Sequence, residues 1–491
     1  MARVSRAFFR LSSFAFAVVA FCLTVLVVHT RDPFEIRGRP LGGFKVPFAK
    51  PSKLADAAPP QDVLKRLDLS EEQCRTTFPD LLQDVDRMVA RGKFVFGKSD
   101  SRYKGLVQGR IKDNNLYILT VSPDIVTQIV HQRTAILQQL HRALLTSPTR
   151  IPNTHFAFVV NDNPKNNSWS FSKPNRDIPT QNTWLMPGFQ FWSWQGKDAD
   201  TGIGVFSDVM ERIDAVEQEI GSWANKTDKA VWRGTPWFNP ISQPRLRQDL
   251  IHHTKGKEWA DVKPLQPEPQ HKIEIEDFCR YKYLLYTEGV TYSGRLPYHQ
   301  ACRSVLVTPR LTHLTSSTSV VKGIDADVLM VAFGGKENRA SSPSVSPNVN
   351  AQHIPLLRPV SDYRDANAMY VDPSFSNLET VIVFLRKHPD IAERIAQNQR
   401  HVAVEQGYLS PAAETCYWRA LMRGWASVAV VKTERDSETD RRPENLGAGR
   451  KGEGGEYRGE WGDELGERFE SWILQEVTGG ARRMREQGGH G

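Results

Sequence analysis

Residues 277–307, DFCRYKYLLYTEGVTYSGRLPYHQACRSVLV, gather the residue types that an anionic diphosphate requires. The run Tyr283 to Tyr286 predicts a strand, and Gly289 through Ser293-Gly294-Arg295 predicts a turn of small residues. Leu296 to Cys302 then predicts a helix, and Ser304 to Thr308 a second strand. At such a turn the backbone N–H groups opening the helix point at an anion, the helix dipole favours it, and a guanidinium can grip it with two hydrogen bonds. Arg295 and the backbone of Val290, Thr291, Tyr292, Ser293 and Gly294 are therefore candidate diphosphate contacts, with the Ser293 hydroxyl as a further donor. On spacing alone, an ordinary strand-to-helix connection competes with this reading.

A second arginine cluster follows the β-rich run Ala230-Val231-Trp232: Arg233-Gly234-Thr235, with Arg247 downstream. Gly234 lets the backbone approach a ligand closely. Two arginine clusters facing one cleft could stabilise a departing anion without a metal. Asp162 lies just past a strand predicted over Phe156 to Val160, at the strand end where α/β sheets place their ligand crevice. A plain Asx-turn before Pro164 is the other reading of that aspartate. The aromatic run Trp184 to Trp194 divides between core and sugar-stacking surface, with the loop Gln195 to Thr201 shaping a pocket. His299 is read as structural. Three Asp-x-Asp triplets, at Asp84-Asp86, Asp198-Asp200 and Asp325-Asp327, are read as solvated charge, so neither metal nor cofactor is expected.

The elements that must position these groups belong to a chain of 491 residues, enough for two or three domains. The net charge of +8 comes with no basic stripe or zinc spacing, which argues against nucleic acid as a partner. Leu11 to Val28 is uncharged and largely apolar, close to the ~20 residues a bilayer span needs. Arg3, Arg6 and Arg10 precede it, which predicts a single-pass type II signal anchor with the remainder in the Golgi or ER lumen. A cleavable signal peptide is the rival. A lumenal setting makes cysteines competent for disulfides. With Cys22 inside the span, Cys74, Cys279, Cys302 and Cys416 remain and allow three pairings. Asn166 and Asn225 open glycosylation sequons.

Along the chain the reading is a cytosolic tail over 1–10, an anchor over 11–29 and an extended, mobile stem over 30–68. Ser70 caps a helix whose apolar face runs on through Leu81, Leu82, Val85 and Met88. Phe94, Leu106-Val107 and Leu116 to Val121 predict strands, and Gln128 to Leu145 a long helix. Strand–helix alternation predicts an α/β chain with mostly parallel sheets, in two halves over 69–225 and 226–432. Residues 335–355 read as a disordered insertion. Residues 433–491 read as a disordered or spurious tail, with at most a short helix around Glu464 to Gln475.

Several short motifs occur together and in order. They are Phe158-Val159-Val160-Asn161-Asp162-Asn163-Pro164, Phe171-Ser172-Lys173, Trp184-Leu185-Met186-Pro187, Trp232-Arg233-Gly234-Thr235, the Gly-x-x-x-Ser-x-Arg turn from Gly289 to Arg295, and Cys416-Tyr417-Trp418. In these the chain resembles glycosyltransferase family 90, protein O-glucosyltransferases and fungal capsule-associated xylosyltransferases, over residues 70 to 425. KAVWRGTPWFNP and TEGVTYSGRLPYHQAC look most like the fungal branch. The resemblance implies a GT-B fold of two Rossmann-like domains with a cleft between them, and an inverting, metal-independent transfer from a UDP-sugar. UDP-xylose or UDP-glucose would be the donor, and a glycan or secretory-protein hydroxyl the acceptor. It implies that Asp162 is the base, that Thr235 and Arg247 contact the nucleotide sugar, and that Cys279 pairs with Cys302 and Cys74 with Cys416. The spacing between Asn161 and Asp162 is shorter than in the animal enzymes. A catalytically silent, sugar-binding or chaperone-like secretory protein that kept the fold is the alternative.

Overall fold

Two sheets built from β-branched and aromatic runs organise the chain. The second is parallel throughout. Its strand order is Ala260–Pro264, Thr227–Gly234, Tyr281–Leu285, Val305–Pro309, Ala368–Val371 and Gly323–Asp325. Strands such as Val305–Pro309 are buried along their whole length, as expected for a sheet covered on both faces. The helices Leu378–Lys387 and Pro389–Arg400 cover one side with Val381, Ile382, Leu385, Ile391 and Ile395.

The first sheet departs from the expected parallel arrangement. Its order is Glu467–Arg468, Asn115–Val121, Leu106–Lys112, Thr154–Val159, Ser168–Ser170 and Thr183–Leu185, and its first three pairings are antiparallel. The cause is local. Asp113 and Asn114 both have positive φ, 54° and 60°, and join Lys112 to Asn115 in a two-residue hairpin. Pairing is parallel only from Thr154–Val159 outward, and Asp162 follows that interior strand.

The computed structural model describes residues 58–99, 102–123, 126–196, 202–267, 269–333, 356–432 and 465–476. The described residues all fall within one compact unit, 52–491. The cytosolic tail, the anchor, the stem as far as residue 57 and the insertion 335–355 lie outside the described residues. Among the described residues no helix is long and apolar enough to cross a membrane. The end of the expected stem is ordered: Gln61–Lys65 is a helix that buries Leu64.

Ser70 caps the helix Glu71–Thr77 in a capping box with Gln73, but the helix does not run on to Met88. Pro79 and the left-handed Asp80 (φ 66°) interrupt it, and a separate helix spans Gln83–Ala90. The helix Thr127–Leu145 is present as predicted.

Two late segments belong to the first core: Cys416 to Val428, whose sequence reads as a helix able to cross back over the first domain, and a piece of the expected tail. The helix Pro411–Val428 packs Trp418, Leu421, Met422 and Trp425 into the first core, and Ala429–Val431 pairs with Phe94–Phe96. Trp418 donates to the Gln139 side chain at 3.1 Å, and Trp425 to the His155 carbonyl at 2.8 Å. Within the expected tail, residues 465–476 form an edge strand and a short helix, close to the one read around Glu464 to Gln475. Glu467 and Arg468 extend the first sheet beside Tyr117 and Ile118, and the following helix buries Phe469 and Trp472. Arg133 holds that helix through an ion pair with Glu476 at 3.1 Å. The cysteines pair as the resemblance implied, Cys74 with Cys416 and Cys279 with Cys302.

Candidate functional site

The turn after Tyr281–Leu285 faces the end of Thr154–Val159, so one element from each sheet meets at a single point. Thr291 Oγ1 donates to the Asp162 carbonyl at 2.6 Å. Nearby, the antiparallel pairing of Lys173–Pro174 with His313–Leu314 links segments from the two halves again. The predicted strand, turn and helix are observed as Tyr281–Leu285, residues 286–295 and Leu296–Ala301, with Arg295 at the helix N-cap. The turn is fixed from within: the Ser293 amide donates to the Tyr286 hydroxyl at 3.0 Å, and the Gly289 amide to the Tyr292 carbonyl at 3.0 Å. Gly294 lies so close to Trp194 that a Cβ there would sit 2.7 Å from the indole. The aromatic run thus divides. Trp184, Met186 and Phe189 are core, while Trp194 supports the turn from below. Most of the loop Gln195 to Thr201, including Asp198 and Asp200, lies outside the described residues.

Arg247 and Arg295 come together here. Arg247, on the helix Leu246–Thr254, donates Nε to the Glu288 carbonyl at 3.1 Å and a terminal nitrogen to the Thr235 carbonyl at 2.8 Å. Arg295 donates to the Arg233 carbonyl. Both guanidiniums donate to backbone carbonyls, and among the described residues no carboxylate forms an ion pair with either. Burial lowers both guanidiniums to about 10, and the Arg295 charge adds to the effect on Arg247. Both therefore stay charged at neutral pH while mutually repelling. That arrangement favours an anion between them.

Arg233 is placed differently. Its guanidinium turns along the sheet, pairing with Asp261 at 2.9 Å and donating to the carbonyls of His271, Trp232 and Asp261. What Arg233 and Thr235 offer the two cleft arginines is their carbonyls. Gly234 is required because a Cβ would sit 2.5 Å from the Trp232 indole.

Asp162 is open to solvent, yet protein crowds it on several sides. Burial raises its carboxyl above the ordinary range, and the nearby Arg247 charge partly offsets this. Tyr292 stands beside it, its hydroxyl pushed well above the usual tyrosine value by burial and then by the Asp162 charge. A carboxylate near a cationic pair, with its proton affinity raised, can take a proton from a hydroxyl while the cations hold a departing anion.

Glu288 was not singled out from the sequence. Its buried carboxylate accepts from the Thr312 amide and hydroxyl and the His313 amide at 2.7–3.1 Å, while its carbonyl receives Arg247. Burial raises it to about 7. A carboxylate immediately before the small-residue turn was the available signal, but its partners lie across the fold. His299 is buried with neither ring nitrogen paired, and burial lowers it to about 3, so it stays neutral. Of the acidic triplets, Asp84 pairs with Lys173 at 2.6 Å, Asp86 with Arg75 at 2.8 Å, and Asp325 with Arg310. Asn166 and Asn225 are exposed. The one grouping of metal-ligating residue types among the described residues is Glu217 with Cys279 and Cys302, where the sulfurs form the disulfide and Glu217 pairs with Lys226 at 2.8 Å.

Residues 70–314 match the family model of glycosyl transferase family 90. The chain is 24% identical over 301 residues to an O-glucosyltransferase rumi homolog of Aedes aegypti, covering 58% of this chain and 64% of that one. It is 24% identical over 309 residues to protein O-glucosyltransferase 1 of Homo sapiens, covering 58% and 65%. A rumi homolog of Anopheles gambiae is 23% identical over 265 residues, 52% of this chain and 55% of that one. The match thus spans between about half and two thirds of these relatives.

Proposed function

Because residues 70–314 belong to glycosyl transferase family 90, we propose that this protein transfers a sugar from a UDP-sugar to a hydroxyl of a glycan or protein, with inversion. The observation that carries the proposal is the meeting of Arg247 and Arg295, without a carboxylate partner among the described residues, with Asp162 at the junction of the two sheets. In this reading Asp162 removes the acceptor proton on the face opposite the leaving group. Arg247, Arg295 and the 290–294 backbone take up the charge of the departing UDP. The two sheets then serve as the halves of a GT-B cleft. The arginines do the work a metal does elsewhere, and the ion pairs of Asp84, Asp86 and Asp325 support that assignment. Relatives named O-glucosyltransferases favour glucose as the donor sugar, with xylose as the alternative. The apolar run Leu11 to Val28 and the two disulfides support a Golgi or ER membrane protein with its catalytic region lumenal.

The test is UDP release from UDP-glucose and UDP-xylose by the full chain, with Asp162→Asn and Arg247→Ala alongside. Asp162→Asn should lower turnover by ~10²–10⁴-fold while UDP affinity holds, the loss expected of a general base. Arg247→Ala should weaken UDP binding itself. UDP binding without turnover in the wild type, unchanged by Asp162→Asn, would instead identify a silent relative that only binds sugar nucleotides.

A further inference from the structure

Glu288 makes contacts in two directions, one with its side chain and one with its backbone. The strand ladder reaches the Tyr286 amide, which donates to the Val307 carbonyl at 2.9 Å, and Glu288 lies just beyond it in the turn. Glu288 is 4% exposed, and among the described residues no cation forms an ion pair with it. A buried carboxylate is costly unless donors surround it. Here the donors all come from one segment: the Thr312 amide at 3.0 Å, the Thr312 hydroxyl at 2.7 Å and the His313 amide at 2.9 Å. That segment is tied in turn to the first half of the chain. The Asn175 amide donates to the Thr312 carbonyl at 2.8 Å, its side chain donates to the Leu311 carbonyl at 2.8 Å, and Lys173–Pro174 pairs with His313–Leu314.

The backbone carbonyl of Glu288 receives Arg247 Nε at 3.1 Å. Arg247 depends on such a hold. The Arg295 charge acts against it, and among the described residues no carboxylate pairs with it. Besides Glu288 it has the Thr235 carbonyl at 2.8 Å and the Trp232 ring, whose centre is 5.9 Å away. A guanidinium beside a like charge swings away unless its acceptors stay in place, and an error of about 1 Å at a reacting centre can cost ~10²-fold. We propose that Glu288 is a positioning residue for the transfer. Its carboxylate, clamped by Thr312 and His313, fixes its carbonyl, and the carbonyl aims Arg247 at the departing diphosphate. This role rests on the reading of Arg247 as a diphosphate contact, and it ties that contact to the seam between the two sheets.

Isothermal titration of the full chain with UDP tests this at pH ~8, above the value of about 7 to which burial raises the Glu288 carboxyl. Glu288→Met keeps the length and removes the acceptors, and it should weaken UDP binding about tenfold. Added to Arg247→Ala, the same change should cost less than about twofold, because the group it aims is gone. Thr312→Val deletes one donor at a distance from the arginines and should weaken UDP about threefold, while Thr312→Ser, which keeps the hydroxyl, should bind like wild type. A residue that only supported the fold would lower the urea midpoint and leave UDP affinity of the folded protein alone. UDP affinity within about twofold of wild type in folded Glu288→Met, or in Thr312→Val should Glu288→Met not fold, would overturn the proposal, as would equal losses with and without Arg247. UDP binding unmoved by Arg247→Ala alone would overturn it differently, by removing the diphosphate contact on which it rests.

Discussion

Replacing Gly294 by alanine isolates the contact between the aromatic run and the candidate diphosphate turn. An ideal Cβ at Gly294 lies 2.7, 3.0 and 3.5 Å from three carbons of the Trp194 ring, and no positive φ restricts the position to glycine. Carbon pairs prefer ~3.5–4.0 Å, so the ring or the turn must give way by roughly 1 Å. Neither moves freely. Trp194 accepts from the Ile203 amide at 2.9 Å and packs on Phe189, while the turn is tied through Ser293 to Tyr286 at 3.0 Å. Overpacking of this kind costs ~1–3 kcal/mol. If the turn is what moves, the groups meant for the diphosphate shift by a distance that can cost ~10²-fold in a positioned reaction. Urea denaturation should show the stability loss, and titration with UDP should show at least tenfold weaker binding. Trp194→Ala removes the obstructing ring, so combining it with Gly294→Ala should recover most of the loss, with a coupling of ~1–3 kcal/mol. Effects that simply add to within ~0.5 kcal/mol, or a Gly294→Ala protein that binds UDP like wild type, would refute the reasoning.

Other consequences can be checked in parallel. Trp472→Ala should destabilise the protein by ~3–5 kcal/mol in urea denaturation, because Trp472 is buried in the first core; a solvated tail would show no change. Arg233→Ala breaks a buried ion pair with Asp261 and should cost ~3–5 kcal/mol of stability, whereas Arg247→Ala should act first on UDP affinity. Glu288 titrates at about 7 in the folded protein against 4.5 ordinarily, so the folded state holds the extra proton between those values. Its contribution to stability is therefore fully present below pH ~4.5 and falls by about 3 kcal/mol as pH rises to ~7. The difference in unfolding free energy between wild type and Glu288→Gln should change over that window and level off above it.

Local chemistry made much of this structure legible in the sequence. The apolar runs at Tyr283 and Val305, the small residues before Arg295 and the Ser70 capping box all declare themselves within a few residues. Asp162 was legible as a strand-end carboxylate for the same reason. What the sequence hid depends on partners far along the chain. Nothing near Arg233 announces its ion pair with Asp261, and Glu288 looked unremarkable because Thr312 and His313 lie beyond the next strand. The hairpin at Asp113-Asn114 was a local signal, and it outweighed the strand–helix alternation on which a mostly parallel sheet was expected. The glycine- and charge-rich stretch after Thr433 concealed Phe469 and Trp472, whose burial is visible only once they reach the first core.

The route of the chain also sets an order of events during synthesis. The second sheet is complete once residue 371 has emerged, and the Cys279–Cys302 link closes within its own span. The first sheet begins earlier but waits for Pro411–Val428, for the partner of Cys74 at Cys416 and for the edge strand Glu467–Arg468. Its apolar surface and the Cys74 thiol thus stay uncovered while more than three hundred further residues are made. Chains made at ~5–20 residues per second would leave that half-built core exposed for at least ~15 s. A ribosome stalled once residue 400 has emerged but before Pro411–Val428 has done so would therefore display a finished C-terminal sheet beside an N-terminal one still in need of a chaperone.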